Sequence, residues 1–412
     1  MKEDFLHKKL GERKEQNAFR QLRLPDGKTD FCSNDYLGIA TNGLVEKSLF
    51  DFHTVHPKSE TQSGAVQGPD RPARHGSGGS RLLAGNYPLI EETERQLAAF
   101  HDAAAGLIFN SGYDANLGLL SSVPQRGDTI LYDYLSHASI RDGMRLSFAR
   151  SFPFAHNDLA DLEKRLQAAT SGDRTARENP TITGDQTTEA NHTSVEKHAA
   201  PANIFVVTES VFSMDGDQAP LQAIAALCAQ YGAHLIVDEA HATGVIGKRG
   251  EGLVQHLGLE TACFARIHTF GKAVGCHGAI ILGSQSLRDY LINFSRAFIY
   301  TTALPESSVL AISEAYELFP QMDQERDRLQ QLIARFQQAS LRFDRLNSAT
   351  PIQGVIVPGN EAVRSLAARL QAAGLDVRPI LYPTVPKGSE RLRIVLHAFN
   401  TIEELETLIA EL

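Results

Sequence analysis

Short, uninterrupted apolar runs recur through the middle of the chain: Gly106 to Asn110 (GLIFN), Thr129 to Asp133 (TILYD), Asn203 to Thr208 (NIFVVT), His234 to Asp238 (HLIVD), Ile267 to Thr269 (IHT) and Gly278 to Gly283 (GAIILG). They are rich in β-branched residues and do not alternate polar with apolar, which is the pattern of strands covered on both faces. Between them lie segments of helical spacing, such as Glu91 to His101 and Leu221 to Tyr231, the second followed by Gly232 at a C-cap position. That alternation predicts an α/β fold with a mostly parallel central sheet and helices on both faces. From about Thr301 the pattern turns to long helices and then a strand, Arg391 to Leu396 (RLRIVL), predicting a smaller α+β unit. The expected division is an N-terminal segment (1–55), a large domain (56–300) and a C-terminal small domain (301–412). Two polar stretches, His56 to Arg74 and Thr170 to Pro201, read as loops, the second (170–201) as an insertion because the α/β pattern resumes after it.

Composition closes off several function classes. A formal charge of -9 with no basic stripe disfavours nucleic acid. Cys32, Cys228, Cys263 and Cys276 are scattered without a CxxC pair, against a zinc site or a disulfide framework. The N-terminus is too charged for a signal peptide, and no stretch approaches the roughly 18 apolar residues of a membrane span, so a cytoplasmic protein with no membrane partner is expected. The run Gly76 to Arg81 begins like a dinucleotide fingerprint, but Arg81 stands where the third glycine is required and no strand precedes it.

In open parallel sheets, binding groups collect past the carboxyl ends of the strands, so the polar residues that end the apolar runs carry the functional expectation. Asn110-Ser111-Gly112-Tyr113 ends one run and opens a helix; it suits either a plain Ser N-cap or an anion site at open backbone N–H groups. Asp238-Glu239-Ala240-His241 puts a carboxylate at the end of a buried strand, where it needs a cationic or hydrogen-bonded partner, functional or structural. His234, Asp238 and His241 do not form a metal site on this reading, since His241 lies past the strand end. Thr269-Phe270-Gly271-Lys272 offers a lysine among small residues that can pack against a planar ring, with an amine desolvated enough to form an imine. Thr208 to Asp217 runs from a strand into a polar turn (TESVFSMDGD) that turn formation alone could explain.

Taken in this order, and together with Phe31 to Gly38 (FCSNDYLG), these endings resemble the α-oxoamine synthases, a branch of the fold-type-I pyridoxal-phosphate (PLP) transferases. The resemblance runs almost to the C-terminus, broken only by the two polar stretches. It implies that Lys272 holds pyridoxal 5'-phosphate as a Schiff base and acts as general base, and that Asp238 pairs with the pyridine nitrogen. It further implies that His137 stacks on the ring, and that His241 and Ser213 contact the phenolic oxygen or nearby substrate. Ser111, Gly112, Tyr113 and Thr269 are expected at the phosphate, with Thr301 and Thr302 reaching the phosphate of the other subunit of a homodimer. Asn34 and Arg393 are expected at the amino-acid carboxylate.

Within the branch, Val211 to Asp217 (VFSMDGD), Asp238 to Gly247 (DEAHATGVIG) and His268 to Gly275 (HTFGKAVG) look most like the members that serve biotin synthesis. The implied acyltransferase reaction is decarboxylative condensation of L-alanine with a pimeloyl thioester, on coenzyme A or on acyl carrier protein. The alternatives are a sister synthase of the aminoketobutyrate ligase or serine palmitoyltransferase type, or a non-catalytic partner subunit. The chain departs from the family pattern at Tyr87 and Ile90, where a histidine pair is usual, and at Phe399-Asn400, where Ala-His is common.

Overall fold

The computed structural model describes residues 3–22, 24, 27–55, 74–171 and 202–412, with the side chains of 50–55 left out. The first polar stretch therefore lies outside the described residues except for Arg74, and the second except for Thr170 and Ser171. Those two residues are helical, closing the helix Leu159–Ser171, where the sequence pattern predicts a loop.

The central sheet has seven strands: β1 (Ala105–Phe109), β2 (Thr129–Asp133), β3 (Arg150–Phe154), β4 (Ile204–Glu209), β5 (His234–Asp238), β6 (Cys263–Thr269) and β7 (Ala279–Gly283), in the order β1-β7-β6-β5-β4-β2-β3. Strands β2 to β6 run parallel, and β7 is antiparallel to both of its neighbours. The connection Phe270–Gly278 explains the reversal. A parallel return needs roughly a dozen residues or more for its crossover, and this shorter loop can only turn back. It is the loop that carries Lys272, tied off by hydrogen bonds from Phe270 N to Gly278 O (2.9 Å), Cys276 N to Phe270 O (2.8 Å) and Gly275 N to Lys272 O (2.8 Å).

Each expected strand is present. β6 starts four residues earlier than expected because Arg266 interrupts its apolar run; the guanidinium is buried and donates to the His101 carbonyl at 2.6 Å. β3 (RSFPF) was not read as a strand. It lies at the sheet edge and contains Pro153, which an edge strand tolerates because the missing N–H costs no ladder bond there. The helix Pro88–Phe100 and the helix Leu221–Tyr231 match expectation, and Gly232 takes the left-handed cap conformation at φ 64°. Arg81, which breaks the fingerprint, instead forms a buried ion pair with Glu94 at 2.6 Å.

The C-terminal part adds an antiparallel sheet of β8 (Ile352–Ile356), β9 (Arg378–Ile380) and β10 (Arg391–Val395), in the order β9-β10-β8. The N-terminal segment is stitched to it: Val395 N donates to Phe31 O at 2.9 Å and Ala398 N to Tyr36 O at 2.8 Å. One apolar cluster runs from Phe31 and Leu37 through the sheet residues Val206, Val237 and Ile280 to Leu392 and Leu408. The two parts thus share a core, and each such buried aliphatic side chain contributes on the order of 1.5–3 kcal/mol.

The turn Val211–Gln218 is where the two sheets meet. Gly216 sits at φ 76°, and its carbonyl accepts from Ser348 Oγ and Thr350 Oγ1, both at 2.8 Å. A Cβ at Gly216 would lie 2.1 Å from the Ile352 carbonyl oxygen. Gly216→Ala is therefore predicted to destabilise the protein by about 2–4 kcal/mol, combining left-handed strain with a backbone clash. Chemical denaturation checks this, and a loss below about 0.5 kcal/mol would contradict it.

Candidate active site

Because β2, β4, β5 and β6 are parallel, their carboxyl ends fall on one edge. Glu209 pairs in register with Asp238, and Asp238 with Ile267, so the ends Asp133, Glu209, Asp238 and Thr269 line up there. Asp238 is 6 % exposed. Its Oδ2 accepts from Asn116 Nδ2 at 2.7 Å and its Oδ1 from Ala240 N at 3.0 Å, so the partner expected on physical grounds is an amide and a backbone N–H.

Lys272 follows the end of β6 and points at the same place. Burial pushes its amine below the ordinary lysine range, while Asp238 and Glu209 are near enough to oppose that shift and Arg393 near enough to add to it. No described residue holds Nζ in a hydrogen bond or ion pair. The result is an amine more readily neutral than a surface lysine, beside two carboxylates. Glu209 is almost fully buried, and burial, with Asp238 beside it, pushes its carboxyl well above the usual range. Its Oε1 accepts from His137 N at 2.6 Å, so Glu209 fixes the turn that presents His137. Glu209 stands in the run Thr208 to Asp217 with only its position at the end of a buried strand to mark it, and Asn116 carries no local signal.

His137 caps the helix Ala138–Leu146, its Nδ1 meeting Ser139 Oγ at 2.8 Å and Ser139 N at 3.2 Å. Nδ1 accepts the backbone N–H, so the ring is neutral with its proton on Nε2. Burial, and Lys272 nearby, favour that neutral form. His241 is also buried, and burial together with Lys272 and Arg393 holds it well below the ordinary histidine range. Its Nδ1 lies 2.6 Å from the Tyr36 hydroxyl. Asn34 Oδ1, the other acceptor near Tyr36 at 3.2 Å, already takes Arg393 Nη2 at 2.9 Å. We assign the Tyr36 proton to the shorter contact, which leaves His241 Nε2 as a donor.

Arg393 on β10 also donates from Nε to the Ser213 carbonyl at 2.6 Å. Arg393, Asn34 and Ser213 are thus brought together across the junction of the two sheets. Arg391, two residues away on the same face of β10, forms an ion pair with Asp215 of the same turn.

At the phosphate end, both readings of Ser111 meet. Its side chain caps the helix Gly112–Ser122, accepting from Asp114 N at 3.0 Å and donating to Asp114 Oδ2 at 2.8 Å. That leaves the backbone N–H groups of Gly112 and Tyr113 without an acceptor among the described residues, at the positive end of a helix. Thr269 Oγ1 faces Gly112, where an added Cβ would come within 3.4 Å of it. The Tyr113 hydroxyl turns away to Asp142 and is exposed, so Tyr113 can serve an anion only through its backbone. Thr301 Oγ1 and the Thr302 carbonyl accept from Asn110 Nδ2 at 3.0 and 2.8 Å, next to this cup.

His234 and Asp238 stand at opposite ends of β5, four residues apart at roughly 3.3 Å each, and the His234 ring packs on Phe205 and Phe264. Among the described residues no group of three or more His, Cys, Asp or Glu side chains is placed to hold a metal ion. The departures from the family pattern are structural. The Tyr87 hydroxyl donates to Leu304 O at 2.8 Å, Ile90 is buried, and Asn400 Oδ1 accepts from His397 N at 2.9 Å.

This arrangement defines an anion cup, a neutral-prone lysine and a buried carboxylate around one space, the layout of a PLP-type transferase. Comparison with known proteins agrees. Residues 26–412 match the family "aminotransferase class I and II". An 8-amino-7-oxononanoate synthase of Emericella nidulans is 41% identical, covering 98% of this chain and 94% of its own. Among solved structures, a serine palmitoyltransferase described with PLP is 25% identical with a TM-score of 0.78, covering 100% of this chain and 96% of its own. The 8-amino-7-oxononanoate synthase of Francisella tularensis is also 25% identical, with a TM-score of 0.68, covering 94% and 97%. The chain belongs to the aminotransferase class I and II family, in its α-oxoamine synthase branch.

The depressed amine gives a direct prediction. Incubation with limiting pyridoxal phosphate near pH 8 followed by borohydride should label one lysine, Lys272, ahead of the exposed lysines. Peptide mapping reads the result, and label spread evenly over surface lysines would contradict the site.

Proposed function

We propose that the chain catalyses decarboxylative condensation of L-alanine with a pimeloyl thioester, releasing 8-amino-7-oxononanoate, carbon dioxide and the free thiol. The observation that carries this reading is the convergence of Lys272, Asp238, His241 and Arg393 on one space, in a chain 41% identical to an 8-amino-7-oxononanoate synthase.

The residues fit pyridoxal 5'-phosphate. The N–H groups of Gly112 and Tyr113, with Thr269 Oγ1, form a cup for the phosphate, and Lys272 Nζ is free for the aldehyde carbon. When bound, the cofactor supplies an electron sink that stabilises a carbanion at the amino-acid α-carbon. Asp238, held by Asn116, would serve the pyridine nitrogen. His241 and Ser213 would serve the phenolic oxygen, and His137 would lie against the ring. Arg393 has a planar fork with N–H groups to spare beyond Ser213 and Asn34, suited to a bidentate carboxylate. Lys272 then moves the proton at the α-carbon as general base, a role helped by its lowered pKa. In a homodimer, Thr301 and Thr302 serve the other subunit's phosphate; Asn110 already orients Thr301 for such a task. The same reading keeps residues 301–412 as a substrate-side unit carrying Arg393 against the cofactor-side unit 56–300. It also places the enzyme in the cytoplasm; no helix among the described residues is long and apolar enough to cross a membrane.

Purified protein with L-alanine and pimeloyl-CoA should release free thiol. Turnover with serine or glycine but none with alanine would move the assignment to a sister synthase, the second reading that the serine palmitoyltransferase neighbour favours. Arg393→Lys should raise the L-alanine KM by about tenfold or more with a smaller effect on kcat, because a point charge replaces a bidentate fork. An unchanged KM would remove Arg393 from the carboxylate.

A further inference from the structure

His156 lies outside the groups assigned above, in the loop after β3, yet both of its ring nitrogens meet carboxylates. Nδ1 is 2.9 Å from Asp133 Oδ1, and Nε2 is 2.8 Å from Asp217 Oδ2. A carboxylate only accepts, so both nitrogens must donate and the ring is an imidazolium. Its flat face is closed by the edge of Phe212, with centroids 4.4 Å apart at 87°.

Each of the two carboxylates organises a different wall of the active site. Asp133 is fully buried at the end of β2, and its Oδ1 also accepts from Leu135 N at 2.8 Å while its Oδ2 accepts from Asn157 N at 2.9 Å. That arrangement folds the turn that delivers His137. Asp217 closes the turn Val211–Gln218: its carbonyl accepts from Phe212 N at 3.0 Å, and its Oδ2 also takes Asn157 Nδ2 at 2.7 Å. That turn presents Ser213, whose carbonyl fixes Arg393, and Asp215, which pairs with Arg391.

We propose that His156 is a positioning residue: a half-buried cation that joins the His137 turn to the Ser213 turn and so sets the distance between the ring-covering wall and the carboxylate-binding Arg393. Without it, Asp133 and Asp217 lose their shared counter-ion, and among the described residues the two turns are bridged only by Asn157, through its N–H to Asp133 and its side-chain amide to Asp217. Burial disfavours the charged ring, but the hydrogen bonds it donates to Asp133 and Asp217 more than offset that and push it up to about 10, so the joint holds throughout the neutral range. The inference rests on the function proposed above, because the effect is read at the amino-acid site.

The test uses holoenzyme carrying His156→Gln, Asp217→Asn or both. The amino-acid Kd is taken from the change in cofactor absorbance on titration with L-alanine, beside the visible circular dichroism of the bound cofactor and the melting temperature. Each single variant should raise the Kd about tenfold or more and alter the visible dichroism, since a displacement of about 1 Å in a positioning group has effects of that order. The double variant should be little worse than either, because both break one joint. An unchanged Kd and dichroism in either variant, or effects that multiply in the double, would overturn the proposal even if the melting temperature falls. If His156→Gln does not fold, Asp217→Asn alone decides. A wild-type response to another amino acid but not to L-alanine overturns the substrate assignment only, and the comparison is then made with that amino acid.

Discussion

A lysine amine held partly out of water beside two buried carboxylates is the constraint on which the site depends. An isolated amine in such a place would simply stay neutral, and an isolated carboxylate would take up a proton. Set together, they divide the work. Burial keeps Lys272 inclined to give up its proton, whereas Asp238 is held in place by an amide and a backbone donor. Glu209, two strands from Lys272 and pushed toward its protonated form, adds little charge and serves to pin His137. One edge of one sheet thus carries an amine that burial pushes down, a carboxyl that burial pushes up and a carboxylate held by two donors.

The sheet makes this possible through a topological detail. Parallel strands bring their carboxyl ends to a common edge, but a lysine on a long crossover would be carried away over a helix. Here the short connection between β6 and β7 forces an antiparallel return, so Lys272 stays within three residues of Thr269. On the other side of the space, the turn Val211–Gln218 is gripped by both parts of the protein, through Asp217 and His156 on one side and through Gly216, Asp215 and Ser213 on the other. That turn ties Arg393, the residue proposed to recognise the substrate, to the wall that carries His137.

Much of this was legible in the sequence because the relevant signals are local. Buried parallel strands advertise themselves as unbroken apolar runs, and the polar residue that ends each run is the one exposed to the site; Ser111, Asp238, Thr269 and Lys272 were found in that way. The neighbourhood of Arg393 and Asn34, far apart in the chain, came from family resemblance and not from spacing. What stayed hidden was hidden for physical reasons. β3 is an edge strand with little apolar content and a proline, so its pattern resembles a loop. Asn116 lies inside a helix, and its partner Asp238 is more than a hundred positions away. His156 looks like any loop histidine until the fold brings Asp133 and Asp217 to either side of its ring. Nothing in the sequence shows that the Tyr113 hydroxyl turns outward to Asp142.

The central claim is that Asp238 and Lys272 act on one bound cofactor, the first by keeping its pyridine nitrogen protonated. Loading the protein with cofactor carrying 15N in the ring and recording its chemical shift near pH 8 tests this most directly. The account predicts a pyridinium shift in the wild type that moves to the unprotonated position in Asp238→Asn. An unprotonated ring nitrogen in the wild type, or a shift indifferent to the substitution, would contradict it.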